Sequence, residues 1–361
     1  MKKIILLLAL MSIGAGMVSC EKIFKKKNKG EELPDGWKRY QYTLPAGPLE
    51  VVSLAVDNAG VPYIVTSHTL YRLDGETFTS VPADHVDASV SGVAFDKNNN
   101  LFISYFAPFS TSGGISKLSG ASWTRLNTDK NFNTVFADKS GNVFAGSNDG
   151  LYKYNGTEFV KIDGFDDPVS AIAQDASGAL WFGANVPDPN QGNADITVRY
   201  DGTSFTQYHP GAVDYDRGTN AVTADSYGNV YFSGWNKAGS GQIWQLIKVL
   251  KYDGSSFSLL PLPKNNEGDF LYSYNGALVC AAGSTLWGIL DGDLVTLSNG
   301  EKPLSDYLGG EKCECKGNSS DFVDMKSYGS KLWVLSGHED ENAVSTYNFG
   351  KPETGYLYLY E

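Results

Sequence analysis

Six nearly identical letters occur twice in this chain, YDGTSF at residues 200–205 and YDGSSF at 252–257. Asp-Gly favours a tight hairpin, because Gly and Asp tolerate positive φ better than other residues do. Related stretches are LDGETF at 73–78, LSGASW at 118–123, YNGTEF at 154–159 and LDGDLV at 290–295, and PDGWKRY begins at Pro34. Their turn glycines are Gly36, Gly75, Gly120, Gly156, Gly202, Gly254 and Gly292. The spacings run from 36 to 52 residues, about 43 on average. A recurrence of that length constrains the fold more than any other feature, because each repeat must be one supersecondary unit packed on its neighbours.

A period near 43 matches one four-stranded blade of a β-propeller. Residues 169–208 show the unit. VSAIAQD alternates and is rich in small and β-branched residues, DASG is a turn, and ALWFGA is a second strand. A long polar stretch follows, then ITVRY, the DG turn, and SFTQY as third strand, turn and fourth strand. First-strand counterparts are VVSLAVD, VSGVAFD, FNTVFAD and TNAVTAD, with FLYSYNG and FVDMKSY more divergent. The following turn reads DNAG, DKNN, DKSG, DASG and DSYG in blades one to five, which suits local turn formation better than calcium. The second strands carry an aromatic at matching positions, Tyr63, Phe102, Phe144, Trp181, Tyr231 and Trp333, with Val279 in the sixth copy. Aromatics at one repeat position are expected to pack blade against blade. The last repeat ends at GYLYLYE without a fourth strand, and DGWKRYQYTL is a fourth strand without its first three. The two pieces complete one blade, so the chain is expected to form an all-β, seven-bladed propeller over 35–361, its last blade closed by the N-terminal strand.

The pattern D-x-x-G-N-hydrophobic-aromatic, then L-Y-x-Y-[DN]-G-x-x-F, clearest in ADKSGNVFAGSNDGLYKYNGTEF at 137–159, resembles the two-component regulator propeller repeats. The resemblance covers most of 35–361 and fades in the last two blades. It implies a propeller that engages extracytoplasmic ligands, as the sensor regions of membrane-bound regulators do. This chain carries no kinase or receiver sequence beside it.

Residues 1–19 read as an export signal: Lys2 and Lys3, an apolar run from Ile4, then small residues before Cys20. Val-Ser-Cys resembles the end of a bacterial lipoprotein signal, which implies lipidation of Cys20 and a domain held on a membrane of the cell envelope, facing periplasm or exterior. Residues 20–34 are then the lipidated Cys and a basic linker with five lysines. Removing 1–34 takes away seven Lys and three Glu and leaves −16 on the domain, from −12 for the whole chain. So acidic a body is a poor partner for nucleic acid, whose binding depends on neutralising phosphates. Cys280 in ALVCAAG is expected to be a buried free thiol. Cys313 and Cys315, two apart, sit near the geometric limit for a disulfide.

Strand parity places the second-to-third and blade-to-blade connections on one face, and length variation concentrates there. Function gathers in variable loops on a rigid scaffold. The candidates for ligand binding are Tyr105, Phe106, Phe109, Asp188, Tyr215, Asp216, Arg217, Trp235, Asn236, His338, Glu339 and Asp340, read as exposed aromatics beside polar groups. Such a face suits a carbohydrate or a protein or peptide partner. Asp188, Asn190 and Asp195 alternate as oxygen ligands of a Ca²⁺ loop would, although Arg199 stands where the bidentate Glu belongs. No other cofactor is indicated. Catalysis has thin support among the four histidines His68, His85, His209 and His338. His338-Glu339-Asp340-Glu341 is not H-E-x-x-H, and the alternative to recognition is a metal-assisted lyase or hydrolase in the same funnel.

Overall fold

The computed structural model describes residues 35–44, 53–66, 69–82, 88–107, 110, 113–188, 192–209, 219–237, 245–262, 272–273, 278–290, 293–297, 322–336 and 353–361. They form β-strands throughout, arranged as seven antiparallel sheets.

Blade one holds β2 (Ser53–Val56), β3 (Pro62–Val65), β4 (Thr69–Asp74) and β5 (Thr77–Pro82), numbering β1 being kept for the N-terminal strand Trp37–Leu44. Blade two holds β6 (Ser89–Phe95), β7 (Leu101–Phe106), β8 (Ile115–Ser119) and β9 (Ser122–Leu126). Blade three holds β10 (Thr134–Ala137), β11 (Val143–Ser147), β12 (Gly150–Tyr154) and β13 (Phe159–Lys161). Blade four holds β14 (Ile172–Gln174), β15 (Leu180–Asp188), β16 (Gly192–Tyr200) and β17 (Phe205–Tyr208). Blade five holds β18 (Thr219–Ala224), β19 (Val230–Lys237), β20 (Gln245–Tyr252) and β21 (Phe257–Leu259), with β22 (Tyr272–Ser273) added to β20. Blade six shows β23 (Leu278–Ala282), β24 (Thr285–Leu290) and β25 (Asp293–Thr296) among the described residues. Blade seven runs β26 (Phe322–Tyr328), β27 (Lys331–Ser336), β28 (Glu353–Tyr360), then β1 on the outside.

The ring closes as the repeat requires. β1 lies antiparallel on β28 in one register from Trp37↔Tyr360 to Leu44↔Glu353. The Glu361 amide donates to the Gly36 carbonyl at 2.9 Å, which completes the turn that covalent chain supplies in other blades. Closure removes the sheet edges that an open β array would expose.

The core is a ring of seven apolar clusters among the described residues, one at each blade interface. The repeated second-strand aromatic belongs to these clusters: Phe102, Phe144, Trp181, Tyr231 and Trp333 are all buried, and Tyr63 packs against the first-to-second-blade cluster.

Blade six departs from the expected phase. ALVCAA forms the innermost strand, not the second. Its Ala281 amide donates to Thr223 Oγ1 of the innermost strand of blade five at 3.0 Å. Cys280 pairs with Trp287, as Ala55 pairs with Tyr63 in blade one and Lys326 with Trp333 in blade seven. The seventh aromatic is therefore Trp287, and Val279 is an innermost-strand residue. FLYSYNG is not a first strand, since its Tyr272 and Ser273 pair with Leu246 and Gln245 of β20. The turn in LDGDLV joins β24 to β25, with Leu290 opposite Asp293, and so exits on the variable face. The physical reason is the first-to-second turn. In blades six and seven it is a two-residue hairpin, closed by Ala282↔Thr285 and Tyr328↔Lys331, with Gly283 and Gly329 both at φ 61°. It lacks the Asp that marks the phase in the first five blades.

Candidate functional site

The two faces of the wheel differ in chemistry. On one face the first-to-second turns hold their aspartates. Asp175 Oδ1 accepts from the amides of Ser177 and Ala179 at 2.8 and 3.0 Å, and Oδ2 accepts from Trp181 Nε1 at 2.8 Å. Asp96, Asp138 and Asp225 repeat the motif, with Nδ2 of Asn100, Asn142 and Asn229 on the second oxygen, each at 2.7 Å. Asp57 accepts from Ala59 and Val61, both at 2.9 Å. In each the turn's own amides hold one carboxylate oxygen, as local turn formation demands. The outer turns follow one rule as well: the hydroxyls of Tyr154, Tyr200 and Tyr252 donate to the carbonyls of Gly156, Gly202 and Gly254. In the latter two, Asp201 and Asp253 accept from amides two and three residues on, and these bonds hold both carboxyls below the usual range. The paired YDG[TS]SF stretches are thus one self-capping hairpin written twice.

Neighbouring turns on this face are also joined. Asn58 Nδ2 donates to the Asp96 carbonyl, Lys97 Nζ to the Ser140 carbonyl, and the Lys139 amide to Gln174 Oε1. The Ser226 amide donates to the Gly283 carbonyl, the Gly283 amide to the Gly329 carbonyl, and Tyr328 OH to the Asn58 carbonyl. The turn face is short and internally satisfied.

The opposite face carries the variable connections. In blade four, β15 and β16 stay paired well past the body of the sheet: Asn185↔Asp195, Val186↔Ala194, Pro187↔Asn193 and Asp188↔Gly192. In blade five, β19 and β20 continue through Trp235↔Ile247, Asn236↔Leu246 and Lys237↔Gln245. The described parts of the polar stretches expected as loops at 185–195 and 234–242, namely 185–188, 192–195 and 234–237, are strand in two ribbons of adjacent blades. Trp235 and Asn236 occupy the blade-five ribbon.

Of the calcium-loop residues, the backbones of Asp188 and Asp195 lie in the paired part of the blade-four ribbon, Asp188 opposite Gly192 and Asp195 opposite Asn185. Asn190 lies outside the described residues, as do Phe109, Tyr215, Asp216, Arg217, His338, Glu339 and Asp340. Cys20, Cys313 and Cys315 also lie outside them. Among the described residues no group of three or more His, Cys, Asp or Glu side chains is placed to hold a metal.

Tyr105, expected as an exposed loop aromatic, is a correction. It is 1 % exposed on β7, in the cluster between blades one and two, with the Arg125 guanidinium 5.4 Å from its ring centre. Its amide donates to the Gly114 carbonyl and its own carbonyl accepts from the Phe132 amide, so the SYF stretch is strand and alternation turns Tyr105 inward. Phe106, last in β7, is half-buried opposite Ser89. The described ends of the blade-two loop are held by Asn131. Its Oδ1 accepts from the Ala107 amide, and its Nδ2 donates to the carbonyls of Ala107 and Ser110.

A described polar patch on the variable face spans blades two and three. Asp149, in the tight β11–β12 turn, accepts from Lys130 Nζ at 2.7 Å and from Tyr152 OH at 2.9 Å through the same Oδ2. The ammonium lies 5.0 Å from the Tyr152 ring centre. Burial pushes the Asp149 carboxyl up, and the bonds from Lys130 and Tyr152 outweigh it and hold it below the usual range. Burial likewise disfavours the Lys130 charge, and the same bonds reverse the sign and raise it. Burial raises the Tyr152 phenol. Each shift keeps the proton where it already is at neutrality, so the trio presents fixed charge and hydrogen-bonding groups. Beside it Asn133 Nδ2 donates to Asn148 Oδ1 and to the Val169 carbonyl. The sequence does not single out this patch. Its only signal is SNDG at 147–150, a turn motif like many others in the chain.

No protein-family model matches the chain, and no curated protein is similar enough to be paired with it. Solved structures do share its fold. A catalytically inactive variant of virginiamycin B lyase from Staphylococcus aureus, crystallised with quinupristin, superposes with a TM-score of 0.61 at 12% identity over 89% of this chain and 99% of that one. YCF48 bound to D1 peptide gives 0.56 at 14% identity over 91% and 99%. PorZ, a surface component of the type-IX secretion system of Porphyromonas gingivalis, gives 0.51 at 12% identity over 84% of this chain and 38% of that one. At these identities the likeness establishes the architecture alone, and the chain is a seven-bladed β-propeller.

Proposed function

We propose that this protein is a membrane-anchored, extracytoplasmic recognition module that binds its partner on the variable face. The contrast between the faces carries the reading. The first-to-second-turn aspartates of blades one to five, with Asp201 and Asp253, are engaged by their own turns, whereas the variable face bears two extended ribbons and the Lys130–Asp149–Tyr152 patch. Rigid blades presenting irregular connections on one side make a binding platform. A protein or peptide is the favoured partner class, and the complex of YCF48 with D1 peptide, on the same fold, is in keeping with it. A neutral carbohydrate is the second class, supported by Trp235, Tyr215 and neighbouring amides and carboxylates in the variable sequence. Lipidation at Cys20 supplies the anchor, and no nucleic acid is involved, given the acidic body. A lyase reading rests on likeness of fold alone.

The test is a pull-down from envelope extract together with a glycan array, comparing the wild-type chain with Trp235→Ala and Asp149→Ala. At least tenfold weaker capture by either variant supports the face. Undiminished capture by both places the partner elsewhere.

A further inference from the structure

The strand that closes the wheel also decides which way the wheel faces. Resting on the Cys20 anchor proposed above, we infer that the tether holds the turn face toward the membrane and the variable face away from it. β1 begins at Trp37, opposite Tyr360, and ends at Leu44, opposite Glu353. The Gly36–Glu361 bond occupies the place of a third-to-fourth turn. Strands alternate in direction, so third-to-fourth turns lie on the same face as the first-to-second turns of Asp57, Asp96, Asp138, Asp175 and Asp225. The chain therefore enters the propeller from the turn face, at the outer rim of blade seven. Had the ring been closed by a strand of opposite direction, the tether would have emerged among the variable connections and crowded them against the lipid.

Length makes this entry point matter. Fourteen residues, 21–34, separate Cys20 from Asp35. Fourteen residues reach at most about 48 Å when fully extended. An eight-residue strand such as β1 is about 26 Å tall. Passing round the rim to set the variable face on the bilayer would take up about half of that reach, whereas the turn-face orientation takes up none of it. The linker carries Lys22, Lys25, Lys26, Lys27 and Lys29, which are drawn to anionic headgroups. The outer turns carry exposed Asp74, Glu76, Glu158, Asp201 and Asp253, which are not. The lipid contact is therefore made by the tether, and the acidic turn face stands off from the surface.

The full chain, produced in a bacterial envelope and reconstituted into phosphatidylethanolamine–phosphatidylglycerol vesicles, tests this. In a Cys313→Ser, Cys315→Ser background a donor dye is placed at Thr157→Cys or Glu76→Cys on the turn face, or at Asn148→Cys on the variable face, with a lipid-borne acceptor in the bilayer. Transfer from Thr157 and Glu76 should exceed that from Asn148 on the order of twofold, given the height of a blade. Inserting about 20 Gly/Ser residues after Gly30 should level the three, because the longer tether reaches round the rim freely. Equal transfer in the parent chain, or stronger transfer from Asn148, overturns the orientation while leaving the anchor standing. A preference that survives the longer tether overturns the tether as its cause. A chain found without acyl groups at Cys20 and not retained by vesicles overturns anchor and orientation together.

Discussion

Trp37 meets Trp287 edge to face, with ring centres 5.8 Å apart and planes at 89°. One is the first residue of the closing strand, and the other is the second-strand aromatic of blade six. Tyr360 completes the group, 5.2 Å from both. The contact ties the N-terminal strand to the neighbouring blade as well as to its own sheet. Trp37→Ala should cost about 3–5 kcal/mol, the range for removing a buried Trp. Urea unfolding measures it, and a loss below about 1 kcal/mol would mean that closure does not depend on this group.

Asp175 ties the blade-four turn to Trp181, which is 1 % exposed. Burial pushes its carboxyl up, but the bonds from Ser177, Trp181 and Ala179 outweigh it and hold the pKa below the ordinary value. A depressed carboxyl stabilises the fold above its ordinary pKa, and that stability fades as pH falls through the lower folded value. Asp175→Ala leaves a buried indole N–H unpaired and should cost about 2–3 kcal/mol at neutral pH. The difference from wild type should shrink toward acid. A pH-independent difference would assign the loss to shape alone.

Glu361 takes Lys331 on one carboxylate oxygen and Lys38 on the other. Those bonds bring its pKa down to about 2 from an ordinary 4.5. The clasp therefore holds above about 4.5 and is lost as pH falls toward about 2. It is exposed, so salt should weaken it as acid does. Hydrogen exchange in β1 and β28 is the readout. It should quicken through that window in wild type and show no such step in Glu361→Gln. An identical pH response in the variant would sink the assignment.

Cys280 is a buried free thiol, and burial raises its pKa. In a chain with Ser at 20, 313 and 315, maleimide should leave the native protein unmodified and react at the rate of global opening as denaturant rises. Rapid modification of the native state would show that the six–seven interface opens locally.

The five turns from DNAG to DSYG are legible in phase because Asp signals the turn chemically: its carboxylate accepts from the amide four residues on and, in four of the five, from the amide two residues on. Gly283-Ser284 does the same work with backbone geometry alone and leaves no polar mark. Blade six accordingly reads one strand out of step, with Val279 in place of Trp287. The variable face is legible as a place but not as a surface. Tyr105 reads as a loop aromatic until its pairing with Val90 makes it a strand residue facing the core. DPNQGNAD reads as a loop, and its described ends are paired strand, Asp188 opposite Gly192.

The amino-acid order by itself determined the repeat, the aromatic carried by most blades, and closure by the N-terminal strand. All three follow from local turn chemistry and from periodicity, which a linear text records. The tertiary structure alone decided the phase of blade six, the extension of two loops into ribbons, and the meeting of Lys130 with Asp149 and Tyr152. These depend on which strand finds which partner across the wheel, and pairing over such distances is chosen by packing and backbone hydrogen bonding that no single stretch of sequence contains.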